Sequence, residues 1–186
     1  YKDDATAFDG KKRGTIVGKG ELNNRISSIF FQMLAEKGIE NHFIQPLSPT
    51  EQLVKKVKIV PIEVVVRNIA AGSLAKRLGM DEGTPLRHPV VEFYYKDDEL
   101  GDPMINDSHI SVLQLATEDQ VEAMKKNGLQ VNDILVDYLK ARKVILVDFK
   151  LEFGITDQGK LILADEISPD TCRFWDADTK EKLDKD

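Results

Sequence analysis

The stretch from Val144 to Arg173 most constrains what this chain can fold into. Between residues 147 and 153, charged residues alternate with apolar ones, and the charged set is Asp148, Lys150 and Glu152. A period of two is typical of a β-strand with one buried face, so the three charges should share the other face. A polar turn follows, and a second apolar run then leads into Asp165. The pattern predicts an antiparallel hairpin with charges at one end.

The turn decides which residues of the hairpin face each other. A two-residue loop at Gln158-Gly159 would place Glu152 directly across from Asp165. Directly opposed side chains lie about 5 Å apart at Cβ, where two carboxylates repel unless a metal, a Lys or Arg, or a retained proton lies between them. Mg²⁺ suits such a pair, because it takes one or two carboxylates and fills its shell with water and phosphate oxygens. The alternative is a solvated ladder of charges on an edge strand.

Composition argues against nucleic acid or a membrane as a partner. The 186 residues carry a net charge of −6, so there is no basic field to attract nucleic acid or anionic lipid. No apolar run reaches membrane-spanning length. The single cysteine, Cys172, rules out an internal disulfide and fits a reducing cytoplasm. We therefore expect a cytoplasmic protein that binds small molecules, using local Lys, Arg and metal for any phosphate.

The order of the predicted elements indicates an α+β fold with a mainly antiparallel sheet. Strands are predicted at residues 41–46, 52–57, 59–67 and 90–95, and helices at residues 20–37, 73–78, 117–128 and 131–142. Strands that cluster early, helices that gather later and a closing hairpin argue against a doubly wound fold. A change of pattern near residues 67–72 predicts a strand-rich N-terminal lobe of residues 1–66 and an α+β lobe of residues 67–186.

A second candidate site is the predicted strand-to-helix turn at residues 67–74. An apolar strand delivers Arg67, and Ala70-Ala71-Gly72 then leads into a helix whose first turn holds Ser73. Small residues let a ligand approach the backbone, and the start of a helix attracts anions. Arg67 can make a bidentate contact to a carboxylate or phosphate. An ordinary turn with Ser73 near a helix cap explains the pattern equally well.

Two further polar segments are weaker candidates. Asp170 and Arg173 follow Pro169, and they either form a local ion pair or face an anionic ligand beside the metal site. Lys96 and Asp102 lie in a charged segment that also holds a glycine and a proline, for which a solvated turn is the favoured interpretation.

Five segments together resemble one known family. They are LVKK at 53–56, VVVRNIAAGSLAKRLG at 64–79, DPMIN at 102–106, VDFKLEFG at 147–154 and ADEISPDTCRFWD at 164–176. In this order they resemble the bacterial-type SAICAR synthetases, or phosphoribosylaminoimidazole-succinocarboxamide synthases, and the likeness runs along the whole chain. The resemblance implies a two-lobed fold with an ATP cleft between a strand-rich N-terminal lobe and a larger α+β lobe. It also implies that a Gly/Lys-rich hairpin precedes residue 1 and that a helix follows residue 186.

The resemblance implies an ATP-dependent ligase of purine biosynthesis. This family joins carboxyaminoimidazole ribonucleotide (CAIR) to L-aspartate with ATP and Mg²⁺, through an acyl phosphate, and it suggests a homodimer. A small-molecule kinase with the same Mg-ATP site and a non-catalytic nucleotide sensor are the alternatives. A kinase should form ADP with CAIR alone, a ligase should need aspartate for full turnover, and a sensor should bind without turnover.

The resemblance also implies roles for the acids and the lysine of the hairpin. Glu152 and Asp165 would hold Mg²⁺ against the ATP phosphates. Lys150 would neutralise charge on the phosphoryl group or on the acyl phosphate. Asp148 would border the CAIR pocket next to this lysine.

The remaining candidates are implied to bind the organic substrates. The residues expected to bind or border CAIR are Arg67, Ser73, Asp170 and Arg173. Lys96 and Asp102 would belong to a loop that closes over the substrates and meets aspartate. Ile59 and Val60 would lie in an inter-lobe hinge that binds adenine through backbone groups.

Overall fold

The structure is a computed structural model that describes residues 1–7 and 12–184. The strands are β1 Asp4–Ala7, β2 Lys12–Thr15, β3 Phe43–Ser48, β4 Glu51–Val54, β5 Lys58–Ile69, β6 Pro85–Tyr95, β7 Met104–Ile105, β8 Val144–Ile155, β9 Leu161–Ala164 and β10 Cys172–Asp176. The helices are α1 Lys19–Glu36, α2 Gly72–Leu78, α3 Asp107–Val112 and α4 Glu118–Lys140. The predicted α+β class is confirmed. None of the helices within the described ranges has the length and apolar character needed to cross a membrane.

A six-stranded sheet carries the polar residues of interest. Its strand order is β10-β8-β5-β6-β7, and β9 pairs with β8 on the side away from β5. Every pairing between these strands is antiparallel. Strand β5 lies between β8 and β6 and continues across residues 66 and 67. Its side chains alternate between a fully buried set, Ile62, Val64 and Val66, and a second set on the opposite face.

The apolar face of the sheet packs against α4, which is one helix of 23 residues. The predicted break at Asn127-Gly128 is therefore wrong. A Cβ atom at Gly128 would lie 3.3 Å from Cγ2 of Val66 and 3.5 Å from Cγ1 of Val64. The glycine lets the helix approach β5 closely instead of ending the helix.

The closing hairpin differs from the prediction by one residue in register. Strand β8 pairs with β9 so that Glu152 faces Ala164, and the predicted direct pairing of Glu152 with Asp165 is wrong. The backbone N–H of Thr156 donates to the carbonyl of Lys160, which leaves three residues in the loop. The last loop residue, Gly159, has a φ of 80°. A three-residue loop closed by a left-handed glycine is a common alternative to the two-residue loop.

Asp165 follows directly after the end of β9 and has a φ of 59°. Aspartate is one of the few residues that adopts this left-handed conformation readily. The chain turns there, so the alternation of β9 does not decide where the Asp165 side chain lies. The chain then returns as β10, where Arg173 pairs with Asp148 of β8.

Candidate active site

The second face of the six-stranded central sheet, called the polar face below, carries charged side chains from four strands, β5, β6, β8 and β10. The predicted alternation of β8 is confirmed by its register with β5, in which Asp148, Lys150 and Glu152 face Arg67, Val65 and Glu63. Strand β6 adds Glu92 and Tyr94, and β10 adds Arg173. A cavity of about 240 Å³ opens on this face, and its lining includes Arg67, Asp148, Lys150, Asp170 and Arg173.

Two arginines converge on one oxygen of Asp148. Nη1 of Arg67 donates to Oδ2 of Asp148 at 2.9 Å, and Nη1 of Arg173 donates to the same oxygen at 2.8 Å. Burial raises the pKa of Asp148, although the two guanidinium groups oppose this rise. Nη2 of Arg67 also donates to Oγ of Ser73 at 3.1 Å. Four of the candidate residues therefore form one hydrogen-bonded cluster.

The Ala-Ala-Gly turn provides space for the guanidinium of Arg173. Gly72 has a φ of 53°, and a Cβ atom there would lie 2.6 Å from Nη2 of Arg173. The small residues were expected to let a ligand approach the backbone, and the group nearest to Gly72 is this guanidinium. The side chain of Arg173 remains 29% exposed, whereas that of Asp148 is only 6% exposed. Arg173 is thus the charged member of the cluster that an incoming anion can reach, and Ser73 is exposed beside it.

Asp170 pairs with a residue that the sequence did not single out. Its Oδ2 lies 2.6 Å from Nζ of Lys19, at the start of α1. Arg173 in turn pairs with Asp148. Each of the two residues therefore has an ion-pair partner outside the predicted local pair of Asp170 with Arg173. A lysine at the start of a helix opposes the helix dipole. That unfavourable position was the one signal that could have pointed to Lys19.

Lys150 lies close to three carboxylates. Its Nζ donates to Oε1 of Glu63 at 2.7 Å. Burial alone would lower the pKa of Lys150, but the hydrogen bond to Glu63 and the charges of Glu63, Glu152 and Asp165 together raise it. The ammonium group is therefore charged at neutral pH. Sequence reasoning missed Glu63, because it did not predict that β5 pairs with β8.

Lys96 reaches Glu152, whereas Asp102 stabilises its own loop. Nζ of Lys96 lies 2.5 Å from Oε2 of Glu152, whose side chain is 5% exposed. Oδ1 of Asp102 accepts a hydrogen bond from the backbone N–H of Asp97 at 2.8 Å. A solvated turn therefore does not describe Lys96, because its ammonium group reaches a buried carboxylate on the polar face.

Asp165 borders a second recess, of about 530 Å³, which Tyr1, His42, Gln52 and Glu166 also line. Burial lowers the pKa of His42 to about 4, while a backbone contact with Asp165 acts in the opposite direction. Burial and the nearby charge of Asp165 raise the pKa of Glu166, although its hydrogen bond from Ser168 opposes the rise. The charge of Asp165 also raises the pKa of Lys150 on the polar face.

The carboxylates around Lys150 suit a cation whose remaining ligands are water and phosphate oxygens. Three carboxylates, from Glu63, Glu152 and Asp165, outnumber the two ammonium groups of Lys96 and Lys150. Among residues 1–7 and 12–184, no group of three or more His, Cys, Asp or Glu side chains is arranged to hold a metal. Mg²⁺ is commonly held by one or two carboxylates together with substrate phosphates, so this donor set suits it.

The residues expected at the adenine hinge lie in β5. Ile59 pairs with Gly154 of β8, and Val60 is 4% exposed. The register between β5 and β8 shifts between Ile59 and Glu63. The regular ladder is interrupted there, which frees backbone groups from pairing with β8.

Similar proteins point to one family. The sequence profile of the SAICAR synthetase family matches residues 1–186. A phosphoribosylaminoimidazole-succinocarboxamide synthase of Brevibacillus brevis is 68% identical over 186 residues, which are 100% of this chain and 78% of that protein. A protein of the same name from Coprothermobacter proteolyticus is 60% identical over 186 residues and is covered to 79%.

A solved structure leads to the same family. A protein described as SAICAR synthetase (Type-2) in complex with ADP matches with a TM-score of 0.97 and 55% identity. The match covers 100% of this chain and 79% of that chain. Family profile, sequence relatives and fold agree over the whole length, and the chain belongs to the SAICAR synthetase family.

Proposed function

We propose that this chain forms the active site of an ATP-dependent ligase that joins CAIR to L-aspartate and releases ADP and phosphate. The observation that carries the proposal is the polar face of the central sheet. There the arginine cluster around Asp148 lies next to the lysine–carboxylate cluster around Lys150. An anion-binding pocket beside a site for a metal–nucleotide is what such a ligase needs. The ADP complex of a similar protein supports nucleotide binding.

The chemistry requires activation of a carboxylate, which is a poor acceptor for an amine. A carboxylate oxygen of CAIR attacks the γ-phosphorus of ATP, and the bond from that phosphorus to ADP breaks. The amine of aspartate then attacks the acyl carbon, loses a proton and displaces phosphate. Alignment and neutralisation of charge supply most of the catalysis in phosphoryl transfer. Lys150 would supply a fixed positive charge at the transferred phosphoryl group.

The arginine cluster would bind CAIR. Arg173, which is partly exposed, would contact an anionic group of the substrate, and Ser73 at the start of α2 would add a hydroxyl donor. Arg67 lies deeper and holds Asp148 and Ser73 in place. Asp170, fixed by Lys19, would border the pocket.

Glu152 and Asp165 would hold Mg²⁺. The ion, when bound there, would neutralise charge on the ATP phosphates. Lys96, which pairs with the carboxylate of Glu152, would shift towards the substrates when they bind. Asp102 would stabilise the loop that carries Lys96. Ile59 and Val60 would bind adenine through the interrupted part of the β5 ladder.

The same proposal includes the two lobes of residues 1–66 and 67–186, a homodimer and a cytoplasmic location. Sedimentation analysis would test the homodimer. A small-molecule kinase is not favoured, because the relatives that match the entire chain are named as synthases.

The proposed function is tested by an assay in which ATP, Mg²⁺, CAIR and aspartate are left out one at a time. Full turnover is expected only with all four, and product should contain the succinyl group. ADP release at the full rate without aspartate would indicate the kinase instead. Binding of nucleotide and CAIR without any turnover would indicate a sensor.

Replacing Arg173 with alanine is expected to raise the KM for CAIR by about tenfold or more, with a smaller change in kcat. A hydrogen bond to a charged group contributes about 1.5–3 kcal/mol, and the variant loses the proposed bond to CAIR together with the bond to Asp148. Steady-state kinetics with CAIR varied would measure this. Arg87→Ala removes an exposed arginine of β6 and is the control. An unchanged KM for CAIR in the Arg173 variant would remove this residue from the pocket.

Gly72→Ala and Gly79→Ala form a matched pair. Both glycines have positive φ, 53° and 64°, so both alanines meet a backbone strain of about 1 kcal/mol. Only the Cβ at position 72 collides with Arg173, because nothing lies within 4 Å of the one at position 79. We expect similar losses of stability from strain, but a rise of about tenfold in the KM for CAIR in the Gly72 variant alone. Equal KM values for the two variants would contradict this arrangement of Arg173.

A further inference from the structure

We infer that Glu92 is a positioning residue for the anionic substrate, because it fixes the Arg67 guanidinium beside Asp148 and Arg173. The inference rests on the proposed function and assigns a role to a residue that lies behind the pocket. Glu92 is on β6, opposite Val65 of β5, so it shares the polar face with Arg67.

Both carboxylate oxygens of Glu92 are engaged, and the residue is 8% exposed. Oε2 accepts from Nε of Arg67 at 2.7 Å and from the hydroxyl of Tyr94 at 2.8 Å. Oε1 accepts from Nη2 of Arg77 on α2. A buried carboxylate costs free energy unless it is paired and hydrogen-bonded, and Glu92 meets both conditions. Glu92 thus ties α2 and β6 to the arginine of β5.

The orientation of Arg67 is determined on three sides. Its Nε donates to Glu92, its Nη1 to Asp148, and its Nη2 to Ser73 and to the hydroxyl of Tyr94 at 3.2 Å. Four of its five N–H groups therefore donate to described residues. Charge-assisted contacts of this kind depend steeply on angle. A small rotation of Arg67 would move Asp148, and with it Arg173, which bonds to the same oxygen.

The sign of the effect separates positioning from bulk charge. Together with Arg77 and Glu92, the arginine cluster contains three arginines, at positions 67, 77 and 173, and two acids, Glu92 and Asp148. Neutralising Glu92 makes the cluster more positive, so a purely electrostatic role predicts tighter binding of an anion. A positioning role predicts weaker binding, because Arg67 loses the acceptor that aligns it.

The decisive variant is Glu92→Gln, which keeps the shape but places an amide N–H₂ against one of the two guanidinium groups. We expect the KM for CAIR to rise about tenfold, with kcat changed less than about threefold and the KM for ATP unchanged. Calorimetric titration with CAIR in the absence of ATP should give the same loss of affinity. A Kd for CAIR that is unchanged or lower would overturn the inference.

Tyr94→Phe provides a second measurement if the Glu92 variant does not fold. It retains the ring and removes the hydroxyl that contacts both Glu92 and Arg67, so a loss of CAIR affinity of about threefold is expected. An unchanged affinity in this variant would also overturn the inference. Glu122→Gln is the control, since it changes the net charge equally at an exposed position of α4. An equal loss of affinity in the control would count against a specific role for Glu92.

These measurements also separate the inference from the proposed function. A wild-type protein that fails to turn over CAIR in the omission assay refutes the function itself. An active wild-type protein whose CAIR affinity is untouched by Glu92→Gln refutes only the positioning role.

Discussion

Glu152→Gln or Asp165→Asn is expected to lower kcat by about a hundred- to a thousandfold while the fold is retained. That range is typical when one preorganised charge contact to a transition state is removed. The glutamine would fill the same space on the sheet, but it would lack the charge that Mg²⁺ requires. Lys96 would lose its partner, but its side chain is 42% exposed and can turn to water at little cost.

Saturating steady-state assays over a range of Mg²⁺ concentrations would measure this effect, and thermal unfolding would check the fold. Glu122→Gln again serves as the control, because its side chain is 68% exposed on α4. Wild-type activity in either the Glu152 or the Asp165 variant would defeat the metal assignment.

Lys150→Met is expected to lower kcat by about a hundredfold, with smaller changes in the KM values. Methionine preserves the length of the side chain but removes the charge that would face the phosphoryl group. The raised pKa of Lys150 means that its ion pair with Glu63 stabilises the fold from neutral pH up to about 10, near the pKa of an unfolded lysine. That stabilisation is lost only as the pH rises through the folded pKa, so an assay near pH 8 compares a fully charged lysine with a neutral residue.

Lys125→Met is the control for this substitution, because it also removes a paired lysine. Lys125 bonds to Asp107 at 2.8 Å and its side chain is 33% exposed, whereas Lys150 bonds to Glu63 at 2.7 Å and is 35% exposed. The Lys150 variant should lose more stability, because Glu63 is only 13% exposed whereas Asp107 is 59% exposed, so kcat is compared at a temperature where both variants are folded. Only the Lys150 variant should lose activity. Equal kcat values for the two variants would mean that Lys150 has a structural role alone.

Local patterns revealed the polar face, because alternation along one strand depends on the residues of that strand alone. Asp148, Lys150 and Glu152 could be placed together in this way. The turn after Arg67 was also visible, since the run of small residues ends in a glycine with positive φ. Both features depend only on a few consecutive residues.

Long-range pairing could not be read in the same way. Glu63 and Glu92 reach the site because β5 lies between β8 and β6, and nothing within β5 or β6 specifies those neighbours. The prediction of the hairpin register was wrong for a local reason. A single left-handed glycine, Gly159, closes either a two-residue or a three-residue loop, and a shift of one residue moved Asp165 out of the ladder.

The predicted break in α4 was wrong because a glycine can either end a helix or allow a helix to pack closely against a neighbouring element. Gly128 follows an asparagine, which is typical of a helix end, but its missing side chain makes room for Val64 and Val66 of β5. Helix-to-sheet contact outweighed local propensity at this position.

The most direct test of the whole account is anomalous diffraction from crystals of the protein grown with ADP and Mn²⁺ in place of Mg²⁺. We predict a manganese peak within coordination distance of one carboxylate oxygen of Glu152, one of Asp165 and a phosphate of the nucleotide. A peak far from both carboxylates, or an ADP molecule bound away from this face of the sheet, would contradict the account.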